Sequence, residues 1–358
     1  MKKEFEQIIS QDNFDAVVLY RLPNETGKQV ILGNSEKVYN GINEHHLMSD
    51  GFVFEPFDNT KMHGVFVNNN FSAGFQSFST KQIELLTKIL HPTTENDIIE
   101  SDYKTYLSGF NKIKQAINDK DINKAILSRI KLGPHLTQTQ SIKLFEALSD
   151  QYPHAFVYFI NTPHCGTWIG AGPELLLQHQ NKHLSTVSLA GTLPNNMSAQ
   201  WSNKEKHEQI LVTNYIEHTL LAHQAENIEF TDAQTTDAGP IKHLCTTFNF
   251  KLEKINGNHV GLLYDLHPTP AVCGMPKNEA HEIILDAEPH DRNYYSGFLG
   301  PVKNGSYQFY VNIRCLNATS KHTALFVGGG ITLGSEAENE WNETELKAKT
   351  LLSVLKNI

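Results

Sequence analysis

Cysteine is scarce in this sequence, and it is spaced too widely for a zinc site or a disulfide framework. The 358 residues include four cysteines, Cys165, Cys245, Cys273 and Cys315, and none belongs to a CxxC pair. Structural zinc sites and disulfide-rich domains need paired or closely spaced cysteines. We therefore predict reduced thiols buried in a core, as is usual for a cytoplasmic protein.

Long apolar runs, basic blocks and nucleotide-binding motifs are also missing. No run approaches the roughly 20 apolar residues of a membrane-spanning helix, and the N-terminus MKKEFEQIIS lacks the apolar core of a secretory signal. Lys and Arg number 30 against 39 Asp and Glu, for a net charge of −9, and no nucleic-acid-binding motif occurs. No GxGxxG lies between a strand and a helix, and no P-loop is present. We expect a cytoplasmic protein whose partners include neither a membrane nor nucleic acid.

Hydrophobic patterning predicts strands in clusters that helices separate, without a regular βαβ alternation. This arrangement favours an α+β domain of layered antiparallel sheets over a doubly wound parallel fold. The predicted strands cover 15–22, 29–32, 62–68, 123–132, 154–160, 167–169, 174–179, 298–302, 308–314 and 323–328, the last three as an antiparallel meander. The predicted helices cover 79–90, 101–118, 141–148, 202–225, 240–250, 278–287 and 336–355.

The stretch that follows the last predicted strand carries the clearest chemical signal. The glycines at 328–330 let backbone N–H groups approach a ligand, since no Cβ intervenes. In the next helix Glu340, Glu343 and Lys347 are spaced i, i+3 and i+7, which places them on one narrow arc beside the apolar stripe. Two carboxylates and an ammonium there suit a magnesium ion and an anionic ligand. The alternative is a solvated charged face with a helix cap.

Three more charged side chains fall at positions that should be apolar. Lys124 shares a strand face with Ile126; a desolvated lysine can act as a base, and an ordinary edge-strand lysine is the alternative. Glu174 precedes a hydrophobic strand, where burial favours a general acid; a turn glutamate after a proline is the alternative. Glu208 lies on the apolar stripe of its helix, so a metal ion or a lysine should compensate it, in a functional site or in a simple buried ion pair.

One arginine is predicted inside a strand. Arg314 lies in the apolar run YVNIRCL, and its planar guanidinium suits bidentate binding of a carboxylate. A structural buried salt bridge is the alternative. An acidic protein that binds an acidic ligand needs such local cations or a metal ion.

The charged residues above belong to a set of nine segments that follow one another along the chain. These segments are KAILSR at 124–129, GAGPELLL at 170–177, SLAGT at 188–192, KHEQILV at 206–212, HPTPAVCG at 267–274, EPHDRNYYSGFLG at 288–300, NIRC at 312–315, GGGI at 328–331 and EWNETELK at 340–347. Taken in order, they resemble the chorismate-utilising enzymes, and among them the isochorismate synthases. Several motifs in one order, along most of the chain beyond residue 124, are more specific than any single motif. The resemblance implies two packed antiparallel sheets with helices on the outside, in which residues 101–358 form the catalytic region and residues 1–100 are a variable N-terminal part of the same domain.

The resemblance also implies a role for each matching residue. Lys124 would activate water to attack C2 of chorismate, and Glu174 would protonate the departing C4 hydroxyl. Glu208 and Glu343 would hold Mg²⁺ against the ring carboxylate, with Glu340 nearby. The implied substrate contacts are His243, Tyr295, Arg314, Gly330, Lys347 and Gly191.

Two positions separate the branches of this family. Anthranilate synthases use ammonia and typically lack a lysine at the position of Lys124, whereas aminodeoxychorismate synthases typically carry a nucleophilic lysine at the position of Ala190. Lys124 together with Ala190 therefore points to water as the nucleophile, so no amidotransferase subunit is expected. Salicylate synthase, which goes on to eliminate pyruvate, shares this pair and is the alternative reaction. A non-catalytic chorismate-binding subunit is the alternative of a different class.

Three further points concern a departure from the family pattern, the oligomeric state and the use of the product. Leu193 stands where many relatives carry a basic residue, which is a departure from the family pattern. We expect a monomer. Whether the product feeds menaquinone or siderophore synthesis depends on the enzymes downstream and stays open.

Overall fold

The fold is built on two large β-sheets. The computed structural model describes residues 7–9, 13–93, 98–195, 200–239, 241–252 and 258–358. In chain order, the strands are β1 Ala16–Arg21, β2 Lys28–Gly33, β3 Ser35–Val38, β4 Gly51–Glu55, β5 Gly64–Asn68, β6 Phe71–Phe75, β7 Lys124–Gly133, β8 Phe156–Thr162, β9 Gly166–Gly172, β10 Leu175–Gln180, β11 His183–Pro194, β12 Glu226–Phe230, β13 Gln234–Ala238, β14 Ile241–Lys251, β15 Gly274–Met275, β16 Phe298–Lys303, β17 Ser306–Val311, β18 Cys315–Ala318 and β19 Thr323–Ile331. The helices are α1 Glu44–Met48, α2 Thr80–Ile89, α3 Tyr103–Asn118, α4 Gln138–Gln151, α5 Asn203–Ala222, α6 His259–Leu266, α7 Lys277–Ala287 and α8 Ala337–Leu355.

Both sheets are antiparallel. The nine-stranded sheet has the order β15-β7-β19-β18-β9-β8-β1-β2-β6, and the ten-stranded sheet has the order β12-β14-β11-β10-β17-β16-β4-β5-β3, with β13 also paired to β14. All strand pairs in the described residues run antiparallel. The predicted α+β class is therefore confirmed. The first six strands divide between the sheets, since β1, β2 and β6 join the nine-stranded sheet and β3, β4 and β5 join the other.

The two sheets pack face to face through a layer of aromatic side chains. Phe54 of β4 stacks on Tyr294 with ring centroids 4.2 Å apart, and Phe156 of β8 stacks on Tyr310 of β17 at the same 4.2 Å. Trp168 of β9 is buried in the same layer. Each such ring removes on the order of 150–250 Å² from water, so the layer fixes one sheet against the other.

Helices cover the outer faces of both sheets. Helices α2, α4 and α8 pack on the nine-stranded sheet, α5 and α6 pack on the ten-stranded sheet, and α3 and α7 pack together against β7. Helix α5 begins with the capping box that Ser202 and Glu205 form. No helix in the described ranges is long and apolar enough to cross a membrane.

The cysteines lie mainly in the interior. Cys165, Cys273 and Cys315 are buried and Cys245 is partly buried, and none of the four belongs to a disulfide. Burial raises the pKa of the Cys273 and Cys245 thiols to about 11. These side chains therefore act as small apolar residues.

The helix predicted over residues 240–250 is wrong, because Ile241–Lys251 form strand β14; residue 240 lies outside the described part of the chain. His243, Phe248 and Phe250 are buried and Asn249 is exposed. This two-residue alternation, in a run that also contains Thr and Cys, fits a strand with one buried face. The strand pairs with β11 along most of its length.

The meander predicted from the last three strands is also wrong. Strand β16 pairs with β17 in the ten-stranded sheet, whereas β18 pairs with β19 in the nine-stranded sheet. The chain crosses between the sheets over residues 312–314, where Arg314 has a left-handed backbone with φ of 52°. Asn312 holds this crossing: its side chain accepts a 2.6 Å hydrogen bond from the Tyr158 hydroxyl and donates one of 2.8 Å to the Tyr294 carbonyl. Arg314 therefore lies between two strands, not inside one.

The other predicted elements are present, with ends shifted by a few residues. The final helix, predicted over 336–355, is Ala337–Leu355. Most of the elements that the patterns did not predict are short, such as the five-residue helix α1 and the two-residue strand β15.

Candidate active site

A cleft opens where the glycine-rich end of β19 meets β7, α5 and α8. Strands of both sheets form its walls, with β7 and β19 from one sheet and β11 and β14 from the other. The predicted site residues other than Glu340 all line it, namely Lys124, Glu174, Gly191, Glu208, His243, Tyr295, Arg314, Gly330, Glu343 and Lys347.

The glycines of β19, residues 328–330, border the cleft with main-chain atoms alone. We call this segment the main-chain wall. A Cβ atom built on Gly330 would lie 2.8 Å from Oε1 of Glu208 and 3.0 Å from Cε of Lys124. A Cβ on Gly328 would lie 2.8 Å from the hydroxyl oxygen of Tyr295. Since real Cβ atoms do not approach so closely, the missing side chains are what allow charged groups to meet at this strand.

Lys124 is held at the start of β7, between β15 and β19. It is not on an open sheet edge, which removes the edge-strand interpretation. Its side chain is 3% exposed, and its Nζ lies 3.4 Å from Oε1 of Glu208 on α5. A lysine so enclosed has its apolar stem packed away and its amine directed at the cleft.

Glu174 lies between β9 and β10 and is also buried. Burial raises the pKa of its carboxyl to about 7, although a hydrogen bond from Thr269 and the charges of Lys124, Arg314 and Lys347 lower it in part. The Thr269 hydroxyl donates to Oε1 of Glu174 at 3.2 Å. A carboxyl in this state can donate a proton near neutral pH.

His243 connects two other predicted substrate contacts. Its Nδ1 lies 2.6 Å from the carbonyl oxygen of Gly191, and its Nε2 lies 3.1 Å from a guanidinium nitrogen of Arg314. Arginine can only donate, so Nε2 accepts and Nδ1 carries the proton. Burial and the charge of Arg314 lower the pKa of His243 to about 3, so the ring is neutral.

Arg314 has no ion-pair partner among the described residues. Its recorded side-chain partners are His243 and the hydroxyl of Thr350, which it reaches at 3.1 Å. Burial lowers the pKa of Arg314 to about 10, which leaves the group charged near neutral pH. Because the guanidinium has five N–H donors, it keeps capacity for a carboxylate in the cleft. The structural salt-bridge interpretation is therefore not supported.

Helix α8 brings two residues of its predicted arc, Glu343 and Lys347, to the cleft. Lys347 Nζ lies 2.7 Å from Oε1 of Glu343 and donates to the Gly328 carbonyl at 2.8 Å. Burial acts to raise the pKa of Glu343, but the Lys347 ammonium outweighs it and the pKa is lowered. Tyr295, whose pKa burial raises to about 12, also lines the cleft and keeps a neutral hydroxyl.

Glu340 points to the other face of β19. A Cβ on Gly329 would lie 3.4 Å from its Oε2, and its Oε1 lies 2.8 Å from Nζ of Lys204 on α5. Burial and the neighbouring charge of Glu343 raise the pKa of Glu340, and Lys204 opposes this shift. The carboxylate is therefore held close to a like charge and depends on a cation.

The predicted metal ligands fit a hard cation in their chemistry. Glu208, Glu340 and Glu343 all approach the glycine strand, and carboxylate oxygens are the donors that Mg²⁺ prefers. As the side chains stand, however, each carboxylate pairs with a lysine. Across the described residues, no three Asp, Glu, His or Cys side chains are gathered closely enough to hold a metal ion.

Two neighbours of the site were not predicted. Thr269 belongs to the segment HPTPAVCG, but its bond to Glu174 depends on how the 267–270 turn packs. Lys204 lies one helical turn before Glu208, a spacing that could have suggested a shared face. Its partner, Glu340, comes from a different helix and could not be inferred from that spacing.

The chain resembles proteins of known sequence and structure. Isochorismate synthase EntC of Escherichia coli K12 is 31% identical over 246 residues, covering 65% of this chain and 62% of EntC. Isochorismate synthase DhbC of Bacillus subtilis is 29% identical over 272 residues, covering 70% of this chain and 67% of DhbC. The aligned region thus spans less than two thirds of EntC.

Solved structures show the same fold. The crystal structure of DhbC from Bacillus anthracis has a TM-score of 0.77 at 24% identity, covering 98% of this chain and 99% of that one. Anthranilate synthase component I from Streptococcus pneumoniae has a TM-score of 0.70 at 16% identity, covering 94% of this chain and 92% of that one. The family model described as chorismate binding enzyme matches residues 65–356. Because that model covers most of the sequence, the chain belongs to the family of chorismate-binding enzymes.

Proposed function

We propose that this protein is an isochorismate synthase, an isomerase that adds water at C2 of chorismate and releases the hydroxyl of C4. The observation that carries the proposal is that Lys124 and Glu174 are both buried and both face one cleft. Exchange of a hydroxyl needs a base for the incoming water and an acid for the leaving oxygen. Relatives named isochorismate synthase, which match between 65% and 74% of this chain, support the same reaction.

Lys124 is the proposed base. In its neutral form the amine takes a proton from water as the oxygen bonds to C2, so the nucleophile is generated where it is used. Ala190 lines the same cleft and leaves room there without offering a competing amine. The nucleophile is therefore water and not the protein.

Glu174 is the proposed acid. As the C2–O bond forms, the ring double bonds shift, the C4–O bond breaks, and the Glu174 proton passes to the departing oxygen, which leaves as water. One water is consumed and one is released, so substrate and product are isomers. A proton returned from Lys124 to Glu174 through solvent restores both groups.

The substrate is a dianion, and the cleft offers fixed donors for its carboxylates. Arg314 and Lys347 supply positive charge, the Tyr295 hydroxyl supplies a neutral donor, and the main chain at Gly330 and Gly191 borders the same space. These groups sit on a rigid frame of strands and one helix. They can thus orient the ring between the base and the acid.

A divalent cation completes the proposed site. Glu208 and Glu343, with Glu340 nearby, would hold Mg²⁺, which when bound neutralises and polarises a substrate carboxylate. With the metal bound, Arg314 and Lys347 would orient the substrate, and the main-chain wall of β19 would exclude water from one side of the ring.

The direct test is to incubate the purified protein with chorismate, with and without Mg²⁺, and to separate the products. We expect isochorismate that depends on the metal, with little salicylate or pyruvate. Salicylate with pyruvate would replace the proposal by salicylate synthase. Tight chorismate binding without turnover would replace it by a non-catalytic binding protein.

Variants at the two reacting groups test the assignment of roles. Lys124→Ala and Glu174→Gln should each lower kcat by roughly 10²- to 10⁴-fold while the Kd for chorismate changes little, since acid and base act on the transition state. Lys303→Ala, at the exposed last residue of β16, is the matched control and should keep wild-type turnover. Unchanged turnover in Lys124→Ala would overturn the assignment of the base.

A further inference from the structure

Each of the three carboxylates proposed as metal ligands pairs with a lysine, and the three lysines differ in their exposure to solvent. Two of the three lysines are enclosed: the side chains of Lys124 and Lys347 are 3% and 15% exposed. Lys204 is different, with a side chain that is 40% exposed. The ion pairs are Lys124–Glu208 at 3.4 Å, Lys347–Glu343 at 2.7 Å and Lys204–Glu340 at 2.8 Å.

Lys204 stands where it acts on the whole carboxylate set. It lies in the first turn of α5, one turn before Glu208, and reaches across to α8. Burial lowers its pKa, but the charges of Glu340, Glu208 and Glu343 more than offset this and raise it. Its ammonium therefore neutralises Glu340 directly, and it adds positive charge near Glu208 and Glu343, when no metal ion is bound.

Glu340 explains why such a charge is needed. Its side chain is only 3% exposed and lies near the like charge of Glu343. An unpaired carboxylate in that position would be strongly unfavourable, because burial removes its hydration. Some cation has to face Glu340 in every state of the site.

We propose that Lys204 is a displaceable internal cation, which neutralises the carboxylates of the metal-free protein and moves into solvent when a divalent cation binds. This inference rests on the proposed metal ligands. Of the three lysines in these ion pairs, Lys204 is the one that can make the exchange. Lys124 is enclosed between β15 and β19, and Lys347 donates to the Gly328 carbonyl, whereas the Lys204 side chain is 40% exposed and has a path to water.

The exchange has a measurable cost for metal binding. In the wild-type protein Mg²⁺ has to displace Lys204, so part of its binding energy is spent on the displacement. Without that lysine Glu340 is already free of its ion-pair partner, and the local charge is more negative. The metal then binds more tightly, and the metal-free protein is less stable.

Calorimetric titration with Mg²⁺, without substrate, tests this directly. We expect Lys204→Met to bind Mg²⁺ at least tenfold more tightly than the wild type. Its melting temperature in EDTA should lie below that of the wild type and should recover on adding Mg²⁺. Lys206→Met is the matched control, an exposed lysine on the same helix, and its affinity should stay within twofold. Equal or weaker Mg²⁺ binding by Lys204→Met would overturn the proposal.

A second measurement uses the unaltered protein and so does not depend on how a variant folds. Acetic anhydride labels lysines according to their exposure and freedom, and mass spectrometry reads each site. Saturating Mg²⁺, compared with NaCl at equal ionic strength, should accelerate labelling of Lys204 and leave Lys206 unchanged. An unchanged or slower rate at Lys204 would contradict displacement.

Failure of the underlying metal assignment would look different. If Glu343→Gln binds Mg²⁺ as tightly as the wild type, or the wild type binds none, the proposed ligands are wrong and the role of Lys204 falls with them. If Glu343→Gln loses binding but Lys204→Met binds as the wild type does, the ligands stand and the displacement alone is wrong.

Discussion

Arg314 donates a 3.1 Å hydrogen bond to Nε2 of His243, and both side chains are buried at the cleft. The histidine has no freedom to choose its tautomer, because its other nitrogen is turned to the Gly191 carbonyl. The neutral His243 ring thus accepts a hydrogen bond that fixes the position of the Arg314 guanidinium. A histidine in this role should contribute to binding and not to proton transfer.

Replacement of His243 by Ala should therefore raise KM for chorismate and lower kcat/KM roughly 10- to 100-fold, the effect of about 1.5–3 kcal/mol for a hydrogen bond to a charged group. Steady-state kinetics with His218→Ala, an exposed position on α5, gives the comparison. Because the pKa of His243 is lowered to about 3, we expect its loss to leave the pH profile between 5 and 8 unchanged in shape. A lost inflection in that interval would show that His243 titrates during turnover.

If Glu174 is the general acid, activity should fall as the pH rises. With its pKa raised to about 7, the protonated form needed for catalysis disappears as pH rises through that value. The bond from Thr269 lowers this pKa, so Thr269→Val should move the limb to higher pH by on the order of one unit. The measurement is kcat/KM against pH, with Thr87→Val on α2 as control. A limb at the same pH in both variants would exclude Glu174 as its source.

The glycine strand predicts a sharp contrast between two alanine variants. In Gly330→Ala the new methyl group would lie 2.8 Å from Glu208 and 3.0 Å from Lys124, so these groups have to move apart. We expect activity to fall by about 10²-fold or more, since displacement of reacting groups by an ångström has that effect. Gly334→Ala places its methyl group where nothing lies within 4 Å, and it should behave as the wild type. Equal activities would mean that the wall tolerates a side chain.

A buried acid outside the cleft predicts how stability depends on pH. Burial raises the pKa of Glu55 from 4.5 to about 8; its Oε2 accepts a 3.0 Å hydrogen bond from Tyr264, and its Oε1 has no partner. The unfolded chain ionises first, so stability is fully present below pH 4.5 and is lost as pH rises toward 8, by up to about 1.4 kcal/mol per unit.

Glu55→Gln removes this titration. Between pH 6 and 8 its free energy of unfolding should therefore gain about 2–3 kcal/mol relative to the wild type, by denaturant unfolding at each pH. Glu84→Gln, an exposed position on α2, should follow the wild-type curve. Parallel curves for Glu55→Gln and the wild type would show that Glu55 ionises as easily in the folded protein as in the unfolded chain.

The sequence was most informative where the relevant spacing is local. The arc of Glu343 and Lys347 follows from helical periodicity, and the structure places both at the cleft with a 2.7 Å ion pair. The burial of Lys124 and Glu174 likewise follows from their apolar neighbours. Their convergence on one cleft could not be derived from periodicity, and it was expected only because the ordered motifs resemble those of a family.

Features that depend on distant packing were missed. The run around Arg314 is apolar throughout, so nothing local marks the point where the chain leaves one sheet for the other; the buried side chain of Asn312 determines it. The strand that carries His243 was mistaken for a helix because its alternation is interrupted by small residues. Lys204 and Glu340 meet only because α5, which packs on the ten-stranded sheet, and α8, which packs on the nine-stranded sheet, come together at the cleft.

The main-chain wall of β19 also affects how readily mutations would make this protein resistant to an inhibitor. A compound that draws its affinity from the backbone at 328–330 contacts atoms that no codon change can remove. A side chain introduced there to block the compound would collide with Tyr295, Lys124 or Glu208. Under the proposed function, resistance at this wall would be selected against by the loss of the reaction itself.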